Sequence, residues 1–187
     1  MSDKINVISF DVDGTLVKND LVERFWFVEI PRMLAKKEGI DFEAAKKRIT
    51  KNYDKMGDSK LEWYLPEYWF SRFGLSEEPE EVLKKIKDGF PYYPEVPDIL
   101  EALEDKYMLI VISNASREFL KVNLKDIKGK FNHIFSCVSD LKQIKKDPEV
   151  FRSICEKIDI SPEEIIHVGD DWEADYLSPR KSGIRSF

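Results

Sequence analysis

Four short, continuous apolar runs punctuate the chain: Val7–Phe10, Leu109–Ser113, His133–Ser139 and Ile165–Gly169. They are rich in Ile, Val and Phe and lack the alternation of a half-exposed strand. Each therefore reads as a parallel strand buried on both faces. Between the later three lie helical segments with recognisable starts. Ser116 can cap a helix reaching Leu124, and Asp147-Pro148 opens another through Lys157, with proline where the missing N–H costs nothing. Ser161-Pro162-Glu163-Glu164 repeats that device as a capping box just before the fourth strand. This strand–helix alternation predicts an α/β fold with an open, doubly wound, Rossmann-like parallel sheet.

The first connection breaks the rhythm. Residues 11 to 106 separate strands one and two, far more than one crossover helix requires. Within it Asp20–Lys37, Phe42–Tyr53, Ser59–Phe73 and Pro79–Lys87 carry helical patterns, and Pro31 is expected to kink or divide the first. Pro91, Pro94 and Pro97 then make a stiff, turn-prone return. The expected organisation is a core of residues 1–17 and 93–187, with 18–92 inserted as a smaller α-helical cap domain. The cap's aromatic residues, Trp26, Phe27, Trp63, Tyr64, Tyr68, Trp69, Phe70 and Phe73, recur at spacings of three and four. That pattern assigns most of them to the cap's own core, leaving one or two to line the mouth of a site. Lys18, Asn19 and Asp20 fall near the expected hinge.

Composition narrows the function. The chain has 187 residues, enough for one α/β domain and an insertion, and 30 basic against 36 acidic residues leave a formal net charge of −6. With no basic block, a nucleic-acid partner is not expected. The apolar run in MSDKINVISF is too short for a signal peptide, and no segment approaches transmembrane length, so no membrane partner is expected either. Cys137 and Cys155 lack metal-site spacing and read as buried, reduced thiols of a soluble, cytoplasmic protein. The assembly is left as a monomer or a homodimer.

Ligands of a parallel open sheet bind outside the carboxyl ends of its strands. Those ends carry Asp11-Val12-Asp13, Ser113-Asn114, Lys145-Lys146 (in the connection leaving strand three) and Asp170-Asp171. Each group alone has a structural reading, as a turn, a helix cap or a solvated lysine. An EF-hand is excluded, because Gly14 stands at the fourth loop position instead of the sixth and no suitably spaced Glu follows. His167 and His133 read as satisfied core histidines. Together, the groups describe phosphoryl transfer. Clustered carboxylates repel a phosphate unless a hard cation lies between them, and Mg²⁺ takes oxygen ligands while keeping positions for water and phosphate. Asp11 can then attack phosphorus, giving an aspartyl-phosphate. Residues i and i+2 of a strand share a face, so Asp13 can protonate the leaving oxygen and later take a proton from water. The Ser113 hydroxyl and the Asn114 N–H can bind phosphoryl oxygens, and a lysine offsets the charge of the transition state.

These residues resemble the haloacid dehalogenase superfamily, specifically its phosphatase-like branch. DVDGT at 11–15 is similar to that family's first motif, ISN at 112–114 to its second, KKDPEVF at 145–151 to its third and HVGDDWEAD at 167–175 to its fourth. The resemblance implies Asp11 as nucleophile and Asp13 as general acid/base, with Asp13 also binding the metal through its backbone carbonyl. It implies Ser113 on the phosphate, Lys145 as the functional lysine with Lys146 in place of the usual proline, and Asp170 as the acidic metal ligand. The metal set is then Asp11, Asp13 and Asp170, supported by Asp171 or Asp175. The cap's position matches the family's helical cap type, whose closure would exclude bulk water. SPRKSGI resembles the segment leading to the next strand. Family members often continue past the point where this chain stops, Phe187, so either a short sheet edge or a truncated chain is expected. The reading is a Mg²⁺-dependent phosphomonoesterase acting on a small phosphorylated metabolite. A sugar phosphomutase would share its intermediate. A 2-haloacid dehalogenase is disfavoured by Asp13, and a receiver-type interaction module by the order of the motifs and the presence of the cap.

Overall fold

In chain order the elements are β1 (Val7–Phe10), α1 (Asp20–Arg24), α2 (Ile30–Glu38), α3 (Phe42–Met56), α4 (Pro66–Phe73), α5 (Pro79–Ile86), α6 (Val96–Glu104), β2 (Met108–Ser113), α7 (Arg117–Asn123), β3 (His133–Ser136), α8 (Pro148–Ile158), β4 (Ile165–Val168), α9 (Ser178–Lys181) and β5 (Arg185–Ser186). They come from a computed structural model that describes residues 4–87 and 92–187. Pro91, assigned above to the turn-prone return, falls outside the described residues. The chain divides into two compact units, Met1–Lys18 with Pro91–Phe187, and Asn19–Phe90. No helix among the described residues is long and apolar enough to cross a membrane.

The first unit is a five-stranded, wholly parallel sheet in the order β3-β2-β1-β4-β5. Five of the six β2 residues are buried, because successive side chains enter two different apolar layers. Leu109 and Val111 join Phe10, Val96, Leu100, Leu120 and Leu124 on one face. Ile110 and Ile112 join Val7, Val150, Phe151, Ile154 and Ile165 on the other. Burying each such side chain is worth about 1.5–3 kcal/mol, so helices must cover both faces. The expected doubly wound sheet is what forms.

Several local expectations need correction. The third strand stops at Ser136, and the apolar run continues as a π-helical turn, Cys137–Leu141. Cys137 and Val138 are buried there, and a short buried run does not itself distinguish strand from helix. His133 is not a core residue: it is exposed on the edge strand, its ring stacked on Phe135. The return segment also holds a helix, α6, with Pro97 tolerated in its first turn. Ser116 occupies the N-cap of α7 without a capping side-chain bond, whereas the Asp147 carboxylate accepts the Glu149 N–H at 3.0 Å.

The second unit is helical throughout its regular elements. A π-helical turn, Phe25–Glu29, joins α1 to α2 immediately before Pro31. Proline cannot donate to the carbonyl four residues back, and the wider π spacing absorbs that break without a kinked α-helix. The unit's core is aromatic. Tyr53 meets Trp26 and Trp69 edge-on, with centroids 5.8 and 4.6 Å apart, and Phe25 stacks on Phe70. Trp26, Trp69, Phe70 and Phe73 are buried as expected, Trp63, Tyr64 and Tyr68 are half-buried, and Phe27 is exposed.

Replacing Asp147 by Ala removes the α8 cap and is expected to cost about 1 kcal/mol, read as a lower urea midpoint with an unchanged denaturant slope.

Candidate active site

Strand β1 delivers Asp11 to the sheet edge, and its N–H still bonds the Val168 carbonyl of β4 at 2.9 Å. The chain then turns, with Val12 O accepting from the N–H groups of Leu16 and Val17 at 2.8 and 2.9 Å. Asp13 is therefore placed beside Asp11 by a turn, since the strand has already ended at Phe10. Gly14 is required twice over. Its φ is +82°, and an added Cβ would lie 2.1 Å from Asp170 Oδ2. At Gly169 an added Cβ would lie 2.3 Å from the Asp175 carboxyl carbon. The two glycines make room for two carboxylates from the fourth motif.

At the centre lies Lys145, 2% exposed, with Nζ donating to Asp11 Oδ1 at 2.5 Å and to Asp175 Oδ1 at 2.6 Å. Asn114 Oδ1 accepts the Lys145 backbone N–H at 2.8 Å, tying the ends of β2 and β3 together. Lys146 instead pairs with Glu173 at 3.2 Å, so Lys145 is the lysine that enters the cluster. Asp175 Oδ1 also meets His167 Nε2 at 2.8 Å, and Ser9 Oγ lies 2.7 Å from His167 Nδ1. A carboxylate only accepts, so Nε2 carries the hydrogen and Nδ1 accepts from the serine hydroxyl. Asp175 Oδ2 accepts from the Asp171 N–H at 3.1 Å.

Carboxyl oxygens of Asp11, Asp170 and Asp175 lie within 4.8 Å of one another, an all-oxygen set that could hold a metal ion. Burial raises the Asp11 carboxyl above the usual range and Asp175 adds to that, with Lys145 opposing both. Burial, then the charge of Asp11, pushes Asp13 up to about 7, against the pull of Lys145 and of a hydrogen bond from Asn123. Burial would raise Asp175 too, but Lys145 and His167 hold it well below the usual carboxylate range. Burial alone would lower Lys145, and its two carboxylate partners more than offset that, so it stays charged. One ammonium thus leaves the carboxylates of Asp11 and Asp13 under-neutralised, and a hard cation fits that excess.

Asp11, Asp13, Ser113, Asn114, Lys145 and Asp170, named from sequence, all come to this edge of the sheet. Ser113 is buried, its Oγ accepting the Ala115 N–H at 3.1 Å and its hydroxyl bonding Asp11. The Asp13 side chain stands outside the three-carboxylate set and bonds Asn123 Nδ2 at 2.9 Å. His167 is fully buried and satisfied, as read, yet its partner belongs to the site. Ser9 and Asn123 escaped sequence reading. Ser9 left a trace, for it and His167 are polar residues in apolar strands and share a register position.

The raised pKa of Asp13 has a signed consequence. Between an unfolded value near 4 and the folded value of about 7, the native state binds the extra proton, so this group's contribution to stability falls as pH rises. In metal-free protein, Asp13→Asn abolishes that term. Its melting temperature is expected to gain on the parent's from pH 4 to pH 7 and to hold the gain above, as measured by calorimetry across pH.

Comparison with known proteins agrees with this geometry. Residues 5–183 match the family model of the haloacid dehalogenase-like hydrolases. The chain is 26% identical to glyceraldehyde 3-phosphate phosphatase of Pyrococcus furiosus, over 98% of this chain and 80% of that protein. It is also 26% identical to (S)-2-haloacid dehalogenase 4A of Burkholderia cepacia, over 92% and 78%. A solved HAD phosphatase from Thermococcus onnurineus superposes with a TM-score of 0.85 at 25% identity, covering 96% of this chain and 84% of that one. With its motifs converging on one buried lysine and phosphatases among its relatives, this chain belongs to the haloacid dehalogenase-like hydrolases.

Proposed function

We propose that this enzyme is a Mg²⁺-dependent phosphomonoesterase that hydrolyses a small phosphorylated metabolite through an aspartyl-phosphate on Asp11. The supporting observation is the approach of Asp11, Asp170 and Asp175 to within 4.8 Å of one another around Lys145. Asp11, Asp170 and the Asp13 backbone carbonyl would hold the ion, with Asp175 supporting them. When bound, the cation neutralises phosphoryl charge that the carboxylates would otherwise repel. An Asp11 carboxylate oxygen forms its bond to phosphorus as the bond to the leaving oxygen breaks, and Asp13 gives that oxygen its proton. Asp13 then takes a proton from the water that attacks the aspartyl-phosphate, which frees inorganic phosphate and restores Asp11. The Ser113 hydroxyl and the Asn114 N–H bind phosphoryl oxygens. Lys145, held in place by Asp175, offsets the charge of the transferring group.

Asp13 also favours phosphate over halide chemistry, because a halide departs without a proton and an alkoxide does not. In this reading residues 18–92 are the inserted cap domain, and 1–17 with 93–187 the core. The free, buried Cys137 and Cys155 suit a reducing compartment, and we assign the enzyme to the cytoplasm.

Phosphate release from an aryl phosphate is expected to require magnesium, to stop with chelator and to fall by about a thousand-fold or more in Asp11→Asn. Activity surviving either treatment would overturn the mechanism. Isomerised sugar phosphate appearing without free phosphate would identify a mutase instead.

A further inference from the structure

We infer that Asn123 is a positioning residue for Asp13, fixing which of its two carboxyl oxygens exchanges the proton with the leaving group. The inference rests on the phosphatase reading and extends it to a residue on α7 that is remote in sequence. Asn123 is 9% exposed on a helix whose neighbouring residues Phe119, Leu120, Val122 and Leu124 are buried and apolar. A buried amide without a partner is costly, and this one has Asp13: Nδ2 donates to Asp13 Oδ1 at 2.9 Å. The bond closes over a rigid base. Leu120 of the helix and Leu124 at its C-cap share one apolar cluster with Phe10 at the end of β1 and with Val12, Leu16 and Val17 of the turn that carries Asp13. Helix and turn therefore cannot shift independently without breaking that packing.

The chemistry of the amide suits the place. A lysine or arginine here would hold Asp13 ionised, which defeats a group that must carry a proton in one step and lack it in the next. A neutral amide donor orients the carboxyl in both states. When Asp13 is protonated, Oδ1 remains the carbonyl oxygen, the better acceptor for the amide, and the hydrogen resides on Oδ2. When it is ionised, the same bond persists. Oδ2 is thus the oxygen that gives the proton to the leaving group and recovers it from water, and the carboxyl need not rotate between steps.

Two substrates separate this role from a merely structural one. Phenyl phosphate loses a basic phenolate that needs a proton, whereas 2,4-dinitrophenyl phosphate loses an anion that needs none. The parameter kcat/KM covers only the steps through departure of the leaving group. With the magnesium-loaded enzyme, Asn123→Leu, which keeps the volume, and Asn123→Ala, which vacates it, are each expected to lower kcat/KM for phenyl phosphate by about tenfold or more. Both should leave the dinitrophenyl ester within about threefold of the parent. Equal losses on the two esters, or no loss on phenyl phosphate, would overturn the inference. A parent enzyme inactive on both would overturn the phosphatase reading itself, a different failure.

Discussion

One buried ammonium organises the active edge of this protein. Lys145 is held 2.5 Å from Asp11 and 2.6 Å from Asp175, with all three side chains withdrawn from water. Taking such charges out of solvent costs several kcal/mol per ion, and the cost is offset only where geometry and further hydrogen bonds are good. The arrangement meets that condition by recruiting the ends of four of the five strands. β1 supplies Asp11, the connection after β3 supplies Lys145, the segment after β4 supplies Asp175, and Asn114 after β2 fixes the lysine's backbone. His167 and Ser9 complete the hydrogen bonding of Asp175 from inside the sheet.

The same cluster explains the glycines of the first and fourth motifs. Asp170 approaches the Gly14 backbone so closely that any side chain there would overlap it, and Asp175 does the same at Gly169. Four carboxylates share this edge with one lysine, and burial first, then their mutual charge, raises the titration of Asp11 and Asp13. The two aspartates at the end of the apolar strand are held by different partners, Asp11 by Lys145 and Asp13 by Asn123, and the oxygens of Asp11, Asp170 and Asp175 form a set of the kind a hard cation takes.

Much of the fold was legible because its signals are local. Val7–Phe10 is a strand as read, and Asp147-Pro148 does open a helix. The errors share a cause as well. The run from His133 to Ser139 is apolar throughout, yet only its first four residues pair with β2, and the rest are buried in a π turn. Apolar character reports burial, and burial is compatible with either backbone. His133 was misplaced for the converse reason: it sits in an apolar context but on an edge strand, and which strand forms the edge is a property of the sheet order. The α6 helix was hidden by prolines that read as turn signals, although Pro97 stands where a helix accepts one.

The amino-acid sequence by itself determined the parallel sheet and the helical insertion, and it nominated Asp11, Asp13, Ser113, Asp170 and the Lys145-Lys146 pair as candidates, because periodicity, caps and motif spacing are written in consecutive residues. Only the tertiary structure decided that Lys145 and not Lys146 joins Asp11, that Asp175 belongs with Asp11 and Asp170, and that Ser9, Asn123 and His167 hold the surrounding groups. Those choices depend on distances across strands and helices separated by as many as 158 residues. Such distances are set by strand register and core packing, which no local pattern encodes.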